Sequence, residues 1–381
     1  MDIDTRRKDI LASAKKIVIK IGTRVLTTEE GKLDENKIES LVKDISLLKK
    51  SGKEIVIVTS GAIGAGMGKL GIVKKPKDIP QKQALAAIGQ SELMKIYEKY
   101  FYEEGLCVGQ MLLTQEDLND RNRFLNASNT LNNILNFNAI PIINENDTIS
   151  IDEIKFGDND NLSAQVINLV RADLLLILTT TDGLFTADPR KDKNAELIQI
   201  VDKIDAAIEK LAGKNIDETS IGGMRTKIQA AKKAVKSGVS VLIINGNKKD
   251  IIARVFSYEA EGTIFIPQKS KMNCRKKWIA FSSRSKGNVT VDRGACSALI
   301  NNGKSLLPSG IIKITGKFKK GDRVIITAYD DNEFACGLIN YNSDELDKIK
   351  GKNTNEIKEI LGHKDYDEVI HRNNLVLLRD I

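Results

Sequence analysis

Along the first two thirds of the chain, short unbroken apolar runs alternate with amphipathic stretches. KIVIKI at residues 16–21 and EIVIVT at 54–59 have almost no polar interruption, the signature of strands buried on both faces. The same signature recurs at residues 106–113, 139–143, 173–178 and 239–244. Residues 34–50 place Ile38, Leu41, Val42, Ile45 and Leu48 three and four positions apart, and Gly52 follows, which predicts a helix with a glycine stop. Helical patterns also cover residues 91–102, 161–171 and 224–237. This alternation predicts an α/β fold: an open, mostly parallel sheet sandwiched by helices.

Two segments break the pattern. TISIDEIKF at 148–156 alternates apolar and polar positions, as a solvent-facing hairpin would. Beyond residue 266 the texture changes altogether. Residues 267–284 are basic and irregular and read as a linker. Short apolar stretches at 288–291, 311–315, 323–328 and 334–340 follow, punctuated by glycines at 294, 303, 310, 316, 321 and 337. That predicts a small β-barrel domain over residues 285–365, with 366–381 as a tail and 1–266 as the α/β domain.

Composition narrows the chemistry. The only histidines are His363 and His371. A Ser-His-Asp triad, a histidine zinc site or a histidine general base cannot be built from the first 360 residues. Cys107, Cys274, Cys296 and Cys336 form no CxxC pair, as expected of a reduced, cytoplasmic protein with free thiols. No apolar run is long enough for a transmembrane helix, and residues 1–16 lack the apolar core of a signal peptide. The net charge of +8 is uneven: from Pro267 onward 21 Lys+Arg face 14 Asp+Glu, against 38 and 37 before it. A basic surplus of this kind fits either a polyanion-binding ancestry or a solvated lysine-rich surface.

Four strand-to-helix junctions carry the polar residues. In an open α/β sheet such junctions converge on one ligand site. KIGTR at 20–24 offers Lys20 as a point charge, and Gly22 permits close backbone approach to a phosphate. TSGAIGAG at 59–66 sets Ser60 and Gly61 before a helix, a ready anion site. NEND at 144–147 and GDNDN at 157–161 cluster carboxylates and amides. Helix capping needs one of these residues, not four in a row, so the excess points to polar ligands. GGMRTK at 222–227 supplies free amides and Lys227 on a first helical turn. GMGKLG at 66–71 matches the dinucleotide fingerprint but falls several residues past the strand, where close helix packing explains glycine better. No GxxxxGK[ST] occurs, so ATP would not be bound by a P-loop. Two lysines, two glycine anion sites and a carboxylate cluster suit phosphoryl transfer, which needs positioning and charge neutralisation above all.

These strings closely resemble the amino acid kinase family, in its glutamate-phosphorylating branch. VIKIGTRVL at 18–26, IVIVTSGAIGAG at 55–66, IPIINENDTI at 140–149, IKFGDNDNLSA at 154–164, GLFTADPR at 183–190 and GGMRTK at 222–227 carry the likeness. RKKW at 275–278, VTVDRGA at 289–295, SLLPSGI at 305–311 and YNSDEL at 341–346 extend it nearly end to end. The resemblance implies an amino acid kinase domain followed by a PUA domain. It also implies ATP-dependent phosphorylation of the L-glutamate side-chain carboxylate, with magnesium as the ion on ATP. This is the first step of proline biosynthesis, and feedback inhibition by proline is expected. A homo-oligomer, dimer or tetramer, is implied, without membrane or nucleic-acid partners.

Residue by residue, the likeness puts Lys20 and Lys227 at the phosphoryl site, organised by Asp160. It puts Ser60, Asp147 and Asn159 on the amino acid, with Gly61 and Asn144 beside them. Lys155 and Asp158 fall in the matching loop, Asp158 as a possible metal ligand. The nucleotide segment maps onto Gly22, Thr179, Thr180, Ile221, Gly222, Gly223, Met224, Arg225, Thr226 and Lys227. Thr180 stands where relatives often carry Asp, and Ile221 where Thr is common; both are on the nucleotide side. Acetylglutamate or aspartate kinase is the nearest alternative activity. Asp147 argues against the former, since a free α-ammonium group calls for a carboxylate and an acetylated amine does not. A pyrimidine nucleotide kinase shares the expected fold, and fold does not fix substrate. An RNA-binding regulator using the C-terminal domain is the alternative of another class.

Overall fold

The computed structural model describes residues 3–28, 30–74, 76–149, 159–212, 223–267, 279 and 285–378. The chain divides into two units, Met1–Asp117 with Asn122–Lys269, and Leu118–Arg121 with Ser270–Ile381. The strands of the first unit are β1 (Lys16–Ile21), β2 (Glu54–Val58), β3 (Val108–Leu113), β4 (Ile140–Glu145), β5 (Leu174–Thr179), β6 (Ile200–Val201), β7 (Ser240–Asn245) and β8 (Thr263–Phe265). They form one sheet in the order β3-β4-β2-β1-β5-β7-β8-β6. Every pairing is parallel except β7 with β8.

The apolar runs are continuous because the sheet is covered on both faces. Successive side chains of a strand point to opposite sides. Ile17, Ile19 and Ile21 of β1 join a core with Ile38, Leu41 and Ile45 of helix Glu35–Lys50 and with Leu93 and Tyr97 of helix Ile79–Glu103. Val18 and Lys20 face the other way, where helix Asn159–Val170 packs on β1 and β5 and helix Met224–Lys236 packs on β7. Helix Glu35–Lys50 starts at Asp34, whose carboxylate accepts from the Lys37 amide at 3.0 Å.

The register brings the strand ends level. Lys20 pairs with Val58 and Ile177, and Val58 pairs with Ile143. The junctions after β1, β2, β4 and β5 therefore line up along one edge. Helix Ala62–Leu70, which follows β2, is clamped against helix Ile79–Glu103. A Cβ on Gly66 would come within 2.1 Å of the Leu85 carbonyl oxygen, and one on Gly89 within 1.8 Å of that of Ala62. The dinucleotide-like glycines are thus explained in part by helix packing.

The second unit holds β9 (Gly287–Val291), β10 (Ile311–Gly316), β11 (Arg323–Thr327), β12 (Glu333–Leu338) and β13 (Leu375–Leu377), in the order β10-β9-β11-β12-β13. Its pairings are antiparallel apart from β9 with β11. Val289, Val291, Ile326, Leu346, Val369 and Ile370 meet in its core. Of the expected tail 366–381, residues 366–378 are described and are built into the domain. Val369 and Ile370 are fully buried, the Leu306 amide donates to the Ile370 carbonyl at 2.8 Å, and β13 pairs with β12. These apolar side chains need cover, and the sheet edge supplies it.

Within the expected linker, Ile279 is fully buried and its carbonyl accepts from Arg323 Nε at 2.8 Å. The rest of the basic segment, 268–278 and 280–284, lies outside the described residues. So do residues 150–158 of the expected hairpin, with Lys155 and Asp158, and also Ile221 and Gly222. Among the described residues no helix is long and apolar enough to cross a membrane.

Candidate functional site

The aligned strand ends gather two groups of side chains. The first is a charge cluster. Lys20 lies near the end of β1, Asp160 in the first turn of helix Asn159–Val170, and Lys227 in the first turn of helix Met224–Lys236. Lys20 Nζ is 2.5 Å from Asp160 Oδ1, and Lys227 Nζ is 3.2 Å from Asp160 Oδ2. The Thr226 hydroxyl donates to the same Oδ2 at 2.7 Å. All three charged side chains are buried: Lys20 and Lys227 are 5% exposed and Asp160 1%. Burial alone would push the Asp160 carboxyl up, but Lys20 and Lys227 overrule it and hold its pKa down to about 2. Two ammonium groups converge on this one buried carboxylate, and positive groups gathered at helix starts favour an anion beside them.

The surroundings suit a phosphate. Gly22 closes β1 with its amide donating to the Leu178 carbonyl at 3.3 Å. A Cβ there would sit 3.7 Å from Lys20 Nζ. Gly223 starts the helix that carries Lys227, and a Cβ on it would meet no atom of the described residues within 4 Å. Backbone amides of a helix start and an open approach favour a negative group. Met224 and Thr226 are half-buried and Arg225 is exposed.

The second group is made of amides. Asn159 Nδ2 donates to the Thr59 carbonyl at 2.7 Å, to Ser60 Oγ at 2.8 Å and to Asn144 Oδ1 at 3.0 Å. Asn144 Oδ1 also accepts from the Glu145 amide at 2.9 Å, and Asn144 Nδ2 donates to Gln90 Oε1 at 2.8 Å. Asn159 Oδ1 is buried without a hydrogen-bond partner among the described residues. Gly61 turns the chain into helix Ala62–Leu70 at φ +101°, a left-handed conformation that glycine alone adopts without strain. Asp147 lies in the turn after β4, partly exposed, three residues beyond Asn144. Adjacent residues Asn159 and Asp160 thus belong one to each group, so the two subsites share a wall.

Thr179 ends β5 and Thr180 follows it, and the Gly246 amide donates to the Thr179 carbonyl at 2.7 Å. Beside them Asp182, which the sequence reading passed over, accepts from Asn245 Nδ2 at 3.0 Å and pairs with Lys248 at 3.1 Å. Two residues after the unexpected Thr180, the chain thus places a carboxylate at the ends of β5 and β7. Gln90 was missed as well. Its signal was an amide in an otherwise apolar helical stripe.

Asp160 has each oxygen engaged by a lysine, so it is not free to hold a metal ion. Among the described residues no cluster of three His, Cys, Asp or Glu could hold one either. A cavity of about 810 Å³, lined by Lys304, Leu306, Leu307, Glu368 and His371 among others, lies in the second unit and shares no residue with these groups.

A parallel sheet with two lysines meeting over one buried carboxylate at its C-terminal edge defines a phosphotransferase that works without a P-loop. The amino acid kinase family profile matches residues 15–245, and the PUA domain profile matches residues 287–361. The chain belongs to the amino acid kinase family, and it is a kinase with a C-terminal PUA domain. A glutamate 5-kinase of Caldanaerobacter subterraneus subsp. tengcongensis is 52% identical over 363 residues, 95% of this chain and 98% of that protein. The glutamate 5-kinase of Pelobacter propionicus is 46% identical over 372 residues, 98% of this chain and all of that protein, 100%. Among solved structures, UMP kinase from Bacillus anthracis aligns at TM-score 0.45 and 16% identity, over 67% of this chain and 97% of that one. An isopentenyl phosphate kinase of T. acidophilum aligns at TM-score 0.44 and 18% identity, over 66% and 99%.

Proposed function

We propose that this kinase transfers the γ-phosphoryl group of ATP to the side-chain carboxylate of L-glutamate, giving L-glutamyl 5-phosphate. The observation that carries the reading is the pair of buried lysines on Asp160, one residue from an amide pocket fit for an amino acid. The names of its relatives, glutamate 5-kinases at 46% to 52% identity, support the choice of substrate.

The chemistry follows from the charges. A glutamate side chain is ionised at neutral pH, since its ordinary pKa is about 4.3. The nucleophile needs no general base, which suits a domain without histidine. A carboxylate oxygen attacks the γ-phosphorus in line. The new O–P bond forms as the bond to the β,γ-bridging oxygen breaks, and ADP leaves with that electron pair. Lys20 and Lys227 neutralise charge on the transferring and leaving oxygens, and the amides of Gly22 and Gly223 add fixed dipoles. Asp160 keeps the two ammonium groups together against their repulsion. Magnesium, held by phosphate oxygens, would screen the β- and γ-phosphates. Ser60, Asn144, Asp147 and Asn159 take the α-carboxylate and α-ammonium groups, with Gly61 allowing close approach. Thr179, Thr180 and the segment from Ile221 to Lys227 take the nucleotide.

In this reading the product feeds proline biosynthesis, and proline acts as feedback inhibitor of a cytoplasmic homo-oligomer. The kinase domain spans residues 1–266 and the basic linker 267–284. The test is direct. The protein is incubated with ATP, magnesium and hydroxylamine, and glutamate, aspartate, acetylglutamate and carbamate are compared for trapped hydroxamate and ADP. Glutamate is expected to give both products; turnover of another acceptor alone overturns the reading.

A further inference from the structure

Helix Ile79–Glu103 turns a stripe of side chains inward: Ala86, Gln90, Leu93, Tyr97 and Tyr100, three and four positions apart. Gln90 is the one amide in it, and it is 8% exposed. A buried amide costs free energy unless its oxygen and nitrogen both find partners. Gln90 Oε1 accepts from Asn144, while Gln90 Nε2 has no hydrogen-bond partner among the described residues. Two turns further along the same face, the Tyr97 hydroxyl hydrogen-bonds Thr59 Oγ1 at 2.9 Å. The helix therefore grips the ends of β4 and β2 from behind. Asn144 and Thr59, the residues it grips, are two of the three that hold Asn159, Ser60 being the third.

The orientations in this chain are forced from both ends. The Thr59 carbonyl can only accept, so Asn159 must present Nδ2 to it. The Glu145 amide can only donate, so Asn144 must turn Oδ1 toward it and Nδ2 toward Gln90. Gln90 Oε1 is the acceptor that lets both demands be met. Without it Asn144 Nδ2 would be buried with nothing to donate to. The outcome at the far end is that Asn159 Oδ1 remains a buried acceptor with no partner among the described residues.

We infer that Gln90 is a positioning residue of the amino-acid subsite: it fixes the amide of Asn144 and, through it, aims Asn159 Oδ1 at the α-ammonium group of the acceptor. This rests on the reading of the site as a glutamate-phosphorylating kinase. Gln90 touches neither ATP nor the reacting carboxylate, so its loss acts on acceptor affinity and leaves the chemical step in place.

The test compares the full chain with Gln90→Met, which keeps the shape and loses the acceptor, and with Gln90→Glu, which keeps both. Glutamate binding is measured by calorimetry without ATP, and KM and kcat by ADP release. Gln90→Met is expected to weaken glutamate about tenfold, the factor carried by one ordinary hydrogen bond. Its KM for ATP and its kcat should stay near the parent's. Gln90→Glu is expected to recover most of the lost affinity. If Gln90→Met binds glutamate like the parent, or loses ATP and glutamate affinity alike, the inference fails. If it does not fold, Gln90→Ala replaces it; failure of both to fold while Gln90→Glu folds would mark a purely structural role and overturn the inference too. A parent that neither binds nor phosphorylates glutamate sinks the underlying functional reading instead.

Discussion

The ammonium group of Lys20 lies 2.5 Å from Oδ1 of Asp160, and both side chains are almost wholly shielded from water. A carboxylate so placed neutralises one charge, but a second lysine, Lys227, approaches its other oxygen at 3.2 Å. The carboxylate thereby holds the two ammonium groups side by side at the end of the sheet. The arrangement also makes each lysine replaceable in the experiment without orphaning the carboxylate.

Lys20→Ala and Lys227→Ala should each lower turnover a hundredfold or more, since a lost charged contact to the transition state costs about 3–4 kcal/mol. Calorimetric binding of glutamate should change little. Steady-state kinetics with ATP and glutamate give the answer, and parental kcat in either variant would remove that lysine from the chemistry.

Asp160→Asn removes the carboxylate that both buried ammonium groups share. Unfolding in denaturant at neutral pH should show a loss of about 3–5 kcal/mol, typical of breaking a buried pair from one side. The Asp160 pKa is lowered to about 2 from an ordinary 3.8. Its contribution is therefore complete above pH 3.8 and fades as pH falls through about 2. The gap between parent and variant should be flat from neutral pH down to about 4 and close below it. A gap that persists unchanged at pH 2 would assign the effect to shape.

Asp147→Ala and Asn159→Ala should raise KM for glutamate with KM for ATP close to the parent's. If kcat fell while the glutamate KM stayed put, these residues would act on the reaction and not on acceptor binding.

Asp44 offers a test far from the site. Its Oδ2 accepts from the Ile252 amide at 3.2 Å, at the start of helix Ile251–Phe256, and burial pushes its pKa up. A carboxyl whose folded pKa is raised favours the folded state most when protonated and weakens it once ionised. Asp44→Asn keeps an acceptor and removes the charge, so it should raise the melting temperature at pH 7. Below the ordinary carboxyl pKa of 3.8 both forms are neutral, and the advantage should vanish. A destabilised variant at pH 7 would mean that the charge earns its place at the helix start.

The six long strands of the first unit were legible because burial on both faces writes itself as unbroken apolar runs, and KIVIKI became β1 at its expected bounds. The short strands β6, β8 and β13 were not, since two or three residues carry no period of their own and are fixed by the partner beside them. At the site, the junction residues announced themselves by charge and glycine content. Gln90 did not: its neighbours in the stripe, Ala86, Leu93 and Tyr97, make the pattern read as core, and only the hydrogen bond to Asn144 separates a tolerated polar residue from a useful one. Asp182 was hidden for another reason. Its partners Asn245 and Lys248 come from a strand and loop distant in sequence, and no spacing rule joins them.

The pairing of β13 with β12 changes what a shortened version of this protein would be. Ending the chain at residue 365 discards Val369, Ile370, Leu375 and Val376, four apolar side chains taken from the interior of the second unit. It also strips β13 from the edge of the sheet, leaving backbone groups of β12 on that side to seek another chain. Such a truncation would turn a covered sheet edge into an adhesive one.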